Sequence, residues 1–140
     1  PTHSNWGIDN RTCAIRVIPG NEKSQRLEYR INAADGNPFL VQAASIACGL
    51  YGIENKLGLP PMVQGNAYDL TTSPENVKLP NTLEKSSRAF TKSKIMRKIF
   101  GDAWVDHFTL TRQWEAKCYK NQKKNSPDWN WMLDRYFEII

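Results

Sequence analysis

The sequence predicts an α+β fold, in which a short antiparallel strand pair is followed by a buried helix and a helical C-terminal region. Three observations support this class. Before residue 32 a β-branched run is followed by a period-two alternation. Residues 39–53 are apolar nearly all round, and helix-forming residues dominate from residue 82 onward. The length of 140 residues and 16.1 kDa suits one domain or part of a larger one.

The two strands are expected within residues 1–37. The first is the β-branched run at residues 13–18, which Pro19-Gly20 ends. The second covers residues 26–31 and alternates with period two, so that its apolar and charged side chains lie on opposite faces. The apolar face carries Leu27, Tyr29 and Ile31, and the charged face carries Arg26, Glu28 and Arg30.

The buried helix is expected at residues 38–58. Asn37 is a good N-cap, and Pro38 suits the first helical position. Apolar residues occur on all sides of this segment, while its alanines and glycines keep it slim, which is typical of a closely packed helix. Gly58 is a candidate for the C-terminal cap.

Residues 59–81 contain four prolines and are expected to form a long surface loop. Residues 82–140 are expected to form a helical tail that starts at Thr82, an N-cap, and is interrupted at Gly101. Pro127 then breaks the chain, and Asp128 can cap a closing helix. Together these segments, from the strand pair to the tail, are expected to make one domain or a piece of a larger one.

The net charge of +5 and the pI of about 9.2 first suggest a nucleic-acid partner. The excess is local, because residues 82–124 carry a net charge of +7 and residues 1–37 only +1. A solvated helical face explains such a stretch better than a ligand does. We therefore expect no nucleic-acid partner, and a basic binding module stays an alternative that rests on charge alone.

Cysteine usage and hydropathy exclude two further classes. The three cysteines, Cys13, Cys48 and Cys118, lie far apart and are odd in number, which argues against a disulfide scaffold and favours a cytoplasmic protein. No stretch approaches the ~20 apolar residues of a membrane span, so no membrane partner is expected. The chain begins with Pro1 and not Met, which fits a piece of a longer protein.

Residues 10–30 carry the pattern that is richest in chemistry. Several cations surround Glu28, which lies between two arginines on one strand face. Arginine forks hold carboxylate or phosphate oxygens, and a lone carboxylate among them makes sense where a divalent cation joins a bound polyanion. The competing interpretation is a charged strand face with cross-strand Arg–Glu pairs. The pattern alone slightly favours that second interpretation.

Four motifs resemble the C-terminal part of the catalytic domain of the glutamine synthetase family. They are Asn10-Arg-Thr-Cys-Ala-Ile-Arg-Val-Ile-Pro19, Arg26-Leu-Glu-Tyr-Arg30, Asn37-Pro-Phe-Leu40 and Gly49-Leu-Tyr-Gly-Ile-Glu-Asn-Lys56. Their order and intervals both match. The resemblance is strong over residues 6–70 and looser through the tail, whose end, Arg135-Tyr-Phe-Glu-Ile-Ile140, looks like the C-terminus of such ligases.

The resemblance implies a fold and an activity. The strand pair would be part of the family's half-barrel sheet, and residues 1–140 roughly the last third of an enzyme. That enzyme would use ATP and Mg²⁺ or Mn²⁺ to join glutamate to ammonia or a small amine through a γ-glutamyl phosphate. Because the family's other metal ligands and its N-terminal domain precede this segment, the chain alone is expected to be inactive. Family members are commonly homo-oligomeric rings.

The resemblance also implies roles for single residues. Arg11 is similar to the arginine that bridges the γ-phosphate of ATP and the glutamate side chain, and Arg30 to the arginine on the glutamate substrate. These two are the expected catalytic residues. Arg16 matches an arginine that holds ATP phosphates.

Three further positions follow from the same comparison of motifs. Lys23 and Arg26 fall where the family places nucleotide-contacting groups, and Glu28 matches the carboxylate that binds the metal nearer the ATP phosphates. Tyr68, in Asn66-Ala-Tyr-Asp-Leu70, falls where some bacterial members carry an adenylylated tyrosine. Its alternative role is that of an aromatic anchor for the loop.

Two features leave alternatives open. Trp6-Gly7 looks more like the branch of γ-glutamyl-amine ligases, such as γ-glutamylputrescine synthetase, so the acceptor is either ammonia or an amine. Asp9 is expected either to orient Arg11 or to cap a turn. A non-catalytic structural or regulatory member of the family is the alternative to an enzyme. The retained site residues argue against it, and they are Arg11, Arg16, Glu28 and Arg30.

Overall fold

The computed structural model describes residues 1–33, 35–122 and 128–137, without the side chains of residues 128 and 129. The chain divides into two units, Pro1–Leu79 and Pro80–Ile140. The first unit holds all the described strands, one α-helix and one 3-10 helix, and the second unit holds four described helices. This confirms the α+β class.

The first unit is built around a three-stranded sheet. Its strands are β2 (Trp6–Ile8), β3 (Ile15–Ile18) and β4 (Arg26–Tyr29). The predicted antiparallel pair is β3 with β4, in a register that places Arg16 opposite Glu28. The sequence did not reveal β2, which runs parallel to β3, because three residues are too few to show periodicity.

A second, smaller sheet closes the loop at residues 59–81. Strand β1 (His3–Ser4) pairs antiparallel with β5 (Val77–Lys78). A 3-10 helix, Ala67–Asp69, lies in the middle of the same loop. The predicted long connection therefore contains two short elements, and both return towards the first residues of the chain.

Helix α1 covers Pro38–Glu54 and starts as predicted. The Asn37 side chain accepts hydrogen bonds from the backbone N–H of Phe39 at 3.0 Å and of Leu40 at 3.2 Å. The C-terminal cap is Asn55, three residues before the predicted Gly58. The prediction that this helix is buried is wrong for the described chain, because none of its residues is buried and Phe39 is 80% exposed. An apolar surface predicts burial only where another layer covers it.

The second unit confirms the helical tail. Its helices are α2 (Leu83–Lys92), α3 (Lys94–Phe100), α4 (Asp102–Gln122) and α5 (Asp128–Tyr136). Thr82 accepts the capping hydrogen bond from the N–H of Lys85 at 3.2 Å. The predicted break at Gly101 separates α3 from α4, where glycine adopts a φ of 79°. The predicted roles of Pro127 and of the Asp128 side chain lie outside the described residues.

A cluster of half-buried aromatic rings packs between α2, α3 and α4 in the second unit. Trp104 and Phe108, one turn apart on α4, stack with ring centroids 5.0 Å apart. Phe90 of α2 contacts both rings, and the ring centroid of Phe100 of α3 lies 5.1 Å from that of Trp104.

Among the described residues, no helix combines the length and the apolar character that crossing a membrane requires.

Candidate active site

Glu28 lies at the centre of an arginine cluster on one face of the three-stranded sheet. Its Oε2 accepts a hydrogen bond from Nη1 of Arg16 at 3.0 Å, and its Oε1 accepts one from Nη2 of Arg26 at 3.2 Å. Nη1 of Arg30 is 3.7 Å from Oε2. The register of β3 and β4 produces this cluster, because side chains of opposite residues share a face. One cross-strand Arg–Glu pair anticipated from the sequence, Arg16 with Glu28, is therefore present. Arg26 contacts Glu28 from the same strand, and Arg30 from just beyond its end.

The ion pairs hold these groups in their charged forms. The hydrogen bond from Arg16 lowers the pKa of Glu28 below its ordinary value. The hydrogen bond to Asp9, followed by that to Glu28, raises the pKa of Arg16. Around Glu28 the cluster therefore has more positive than negative charge at neutral pH, which is the electrostatic requirement for binding an anion.

Arg11 is exposed on a turn that two side chains hold in place. Oδ1 of Asn10 accepts hydrogen bonds from N of Thr12 at 3.0 Å and from its Oγ1 at 2.6 Å. Such a local turn is typical of asparagine. Nε of Arg30 donates to the backbone carbonyl of Arg11 at 3.1 Å, which ties this turn to the end of β4.

The same turn also binds the loop that contains Tyr68. Nδ2 of Asn10 donates to the carbonyl of Gly65 at 2.7 Å, and the N–H of Ala67 donates to Oγ1 of Thr12 at 2.8 Å. Ala67 is buried, whereas Tyr68 is 53% exposed. Burial of Ala67 therefore holds this part of the loop, and the ring of Tyr68 is open to solvent.

An open polar cavity lies beside this turn. It is lined by Ile8, Asp9, Asn10, Arg11, Arg16 and Gly65. The structure thus brings Arg11 and Arg16 to one cavity, while Arg26, Glu28 and Arg30 adjoin Arg16 through the cluster. Lys23 is exposed in the connection before β4, where its N–H donates to Oδ1 of Asn21 at 3.0 Å.

Asp9 plays neither of the two parts expected for it. Nε of Arg16 donates to Oδ1 of Asp9 at 3.0 Å, and Nη2 of Arg16 also contacts this oxygen. The side chain therefore binds Arg16 and not Arg11. The φ of Asp9 is 49°, in the left-handed region that aspartate and asparagine tolerate better than most residues.

The opposite face of the sheet is apolar. Alternation along β3 and β4 places Ile15, Val17, Leu27 and Tyr29 on this side. Together with Trp6 and the start of the loop, they line a cavity of about 640 Å³. The two faces therefore differ in chemistry, and only the charged face suits an anion.

The described residues do not form a metal site by themselves. Both oxygens of Glu28 accept hydrogen bonds from arginines. No group of three or more His, Cys, Asp or Glu side chains lies close enough in the described part of the chain to hold a metal ion. A divalent cation at Glu28 therefore requires ligands from other residues.

Sequence reasoning missed the supporting roles of two residues. Asn5 is buried, and its side chain joins the N–H of Ala14 at 3.0 Å to the side chain of Asn76 at 3.1 Å. Thr12 links the turn that carries Arg11 to Ala67. The spacing of Asn10 and Thr12 predicts a local turn, but their contacts 55 residues away leave no pattern in the sequence.

Comparison with known sequences assigns the chain to a family. The sequence model of the family described as the glutamine synthetase catalytic domain matches residues 1–132. The chain belongs to the glutamine synthetase family. This confirms the resemblance drawn from the four motifs.

Individual members of the family share this segment. Type-1 glutamine synthetase 2 of Dictyostelium discoideum is 44% identical over 142 aligned positions, which cover 100% of this chain and 26% of that protein. Glutamate–isopropylamine ligase of a Pseudomonas species is 43% identical over 139 positions, covering 99% of this chain and 29% of that protein. Gamma-glutamylputrescine synthetase of Escherichia coli is 45% identical over 69 positions, covering 49% of this chain and 15% of that protein.

The chain thus spans less than a third of the length of these relatives. Two of these relatives are named as synthetases and one as a ligase.

Proposed function

We propose that this chain supplies the arginine-rich part of the active site of an ATP-dependent ligase that joins glutamate to ammonia or a small amine. The observation that carries the proposal is the cavity that Arg11 and Arg16 share, found in a chain of the glutamine synthetase family. Arg11 is exposed, and no ion pair to its guanidinium is found among the described residues. It is therefore available to a ligand.

The proposed chemistry needs concentrated positive charge. The γ-carboxylate of glutamate must approach the γ-phosphoryl group of ATP, and both groups are anions. Arginine side chains fixed between them offset this repulsion and orient the two reactants. ATP supplies the phosphoryl group that activates the carboxylate.

Each cation has a proposed part in this arrangement. Arg11 bridges the γ-phosphate and the glutamate side chain, and Arg30 binds the glutamate while its Nε holds the backbone of Arg11. Arg16, Lys23 and Arg26 contact the phosphates of ATP. An amine then displaces phosphate from the γ-glutamyl phosphate.

Glu28 is proposed as a ligand of Mg²⁺ or Mn²⁺ only in combination with ligands from outside the described residues. In the chain described, its carboxylate holds Arg16, Arg26 and Arg30 on one sheet face. Glu28 positions these arginines without a bound metal. This arrangement therefore supports the proposed anion site whether or not a metal binds.

The proposal includes the setting of the enzyme. We place the protein in the cytoplasm, in keeping with its free cysteines, and as a subunit of a homo-oligomeric ring. Tyr68 is proposed as a site of modification, since its ring is exposed. No nucleic-acid or membrane partner is proposed.

Calorimetric titration of the purified chain with ATP tests the anion site. We expect binding that weakens about tenfold or more in Arg11→Gln, because a charge-assisted contact to phosphate is lost. Lys78→Gln, which removes an equal charge outside the cavity, is the matched control. Equal affinity of Arg11→Gln and the wild-type chain would contradict the assignment.

Two observations test the wider proposal. The purified chain alone should release no phosphate from ATP in the presence of glutamate and an amine, and detectable glutamate-dependent release would sink the claim of inactivity. An upstream coding sequence with a Glu-x-Glu metal pair supports a complete enzyme. A coding sequence without that pair would favour a non-catalytic member of the family.

A further inference from the structure

Asp9 occupies one edge of the guanidinium of Arg16. The Nε and Nη2 groups of Arg16 both donate to Oδ1 of Asp9, and Nη1 donates to Glu28. Arginine has five N–H donors, and the edge formed by Nε and one terminal nitrogen is a preferred binding edge for phosphate and carboxylate. Asp9 therefore binds where an incoming anion could bind.

The exposure of the two side chains shows which of them meets the solvent. The Arg16 side chain is 13% exposed, whereas the Asp9 side chain is 67% exposed. Both residues line the cavity that also contains Arg11. A ligand that enters this cavity therefore meets a carboxylate beside a guanidinium that is largely covered.

A hydrogen bond fixes the backbone of Asp9, whereas its carboxylate is held by Arg16. The N–H of Asp9 donates to the carbonyl of Val17 at 2.9 Å, and the residue lies in the left-handed region. Among the described residues, the side chain of Asp9 forms its hydrogen bonds with Arg16. Rotation of the side chain can therefore free Arg16 without a change in the fold.

We infer that Asp9 is an affinity-determining residue of this cavity, whose carboxylate occupies the edge of Arg16 and is displaced when a phosphate group binds there. This inference rests on the proposed role of Arg16 in phosphate binding. The Asp9 carboxylate faces the solvent, so a polyanion that contacts Arg16 and Arg11 together can replace its single partner contact. The carboxylate lowers the affinity of the empty cavity for anions.

Tripolyphosphate is a suitable probe, because it presents phosphate groups without a nucleoside. In calorimetric titrations at one fixed salt concentration, Asp9→Asn should bind it about fivefold more tightly than the wild-type chain. Asparagine tolerates the left-handed backbone, so the substitution removes the charge and retains the turn. Glu54→Gln, which removes an exposed carboxylate at the end of α1, should leave the affinity unchanged.

The substitution Arg16→Gln shows whether Asp9 acts through Arg16. In that background the tightening caused by Asp9→Asn should largely disappear, with thermal melts confirming that each variant is folded. Unchanged or weaker binding by Asp9→Asn overturns the inference, as does an equal fivefold tightening with and without Arg16. If neither the wild-type chain nor Asp9→Asn binds tripolyphosphate, the proposed phosphate site itself fails, and this inference fails with it.

Discussion

Arg135 donates two hydrogen bonds to Glu115, from Nε to Oε1 and from its terminal nitrogen Nη2 to Oε2, each 2.9 Å long. This bidentate pair joins α5 to α4, and the hydroxyl of Tyr136 also donates to Oε1. Glu115 is buried, so its charge depends on these partners. The hydrogen bonds from Arg135 outweigh burial and lower the pKa of Glu115 to about 2.

The first prediction concerns Glu115→Gln, which should lower the melting temperature of the helical unit by about 5–10 °C at pH 7. Because the pKa of Glu115 is lower in the folded chain than its ordinary value of 4.5, protonation favours unfolding. The difference between wild type and variant should be complete above pH 4.5 and shrink as the pH falls towards 2. Circular dichroism melts across this range measure it.

Asp134→Asn is the control for this prediction, since it removes an exposed carboxylate from α5. Its effect on melting should be small. A stability difference between wild type and Glu115→Gln that stays constant down to pH 2 would show that the carboxylate charge does not stabilise this contact.

The second prediction concerns Arg97, which connects three helices of the second unit. Its guanidinium pairs with Asp102 at 2.8 Å and Asp106 at 2.7 Å on α4, and Nε donates to the carbonyl of Thr91 in α2 at 2.9 Å. The hydrogen bonds to the two aspartates raise the pKa of Arg97, so it stays charged. Arg97→Gln should lower the melting temperature by several degrees.

Lys94→Gln removes the same charge from an exposed position on α3 and should change the melting temperature much less. Arg97→Lys should recover only part of the stability, because an ammonium group cannot reproduce the planar fork. Equal losses in Arg97→Gln and Lys94→Gln would mean that charge alone, and not the contacts of Arg97, sets the stability.

The third prediction concerns the core of the helical unit. Val105 on α4 is fully buried, with 0% of its surface exposed. Val105→Ala should lower the free energy of unfolding by about 2 kcal/mol, because it removes two buried methyl groups and leaves a cavity. Leu110→Ala, at an exposed position of the same helix, should cost much less. Denaturant titrations measure both, and equal losses would place Val105 outside the core.

The fourth prediction concerns the turn that presents Arg11. Asn10→Ala removes the acceptor for Thr12 and the donor to Gly65, so the turn should become mobile. We expect ATP to bind about tenfold more weakly, although Arg11 itself is unchanged. Calorimetry gives the affinity, and Asn55→Ala at the end of α1 is the control. Unchanged binding would show that the turn does not orient Arg11.

Local signals in the sequence predict much of the fold. The caps Asn37 and Thr82 and the break at Gly101 place the helix boundaries because they act within one turn of the chain. Alternation along residues 26–31 correctly separates the charged and apolar faces of β4. These features depend on neighbouring residues, so a single sequence contains them.

Features that depend on distant residues are not predictable in this way. Helix α1 is apolar nearly all round, yet whether it is buried depends on the polypeptide that covers it. The pairing of β1 with β5 joins segments more than 70 residues apart and involves two residues each. At the site, the charged face was predictable, but the partner of Asp9 depends on a parallel strand that is too short to recognise.

The contacts of the turn at residues 10–12 limit how the length of the loop can vary. Pro60 and Val63 are hydrogen-bonded to Trp6, and Gly65 and Ala67 are hydrogen-bonded to this turn. An insertion or deletion between residues 60 and 67 would therefore shift the register of the loop against the backbone that carries Arg11. Leu70 lies between the 3-10 helix and Thr71, whose carbonyl accepts a hydrogen bond from Asn76, so extra length next to Leu70 should cost much less.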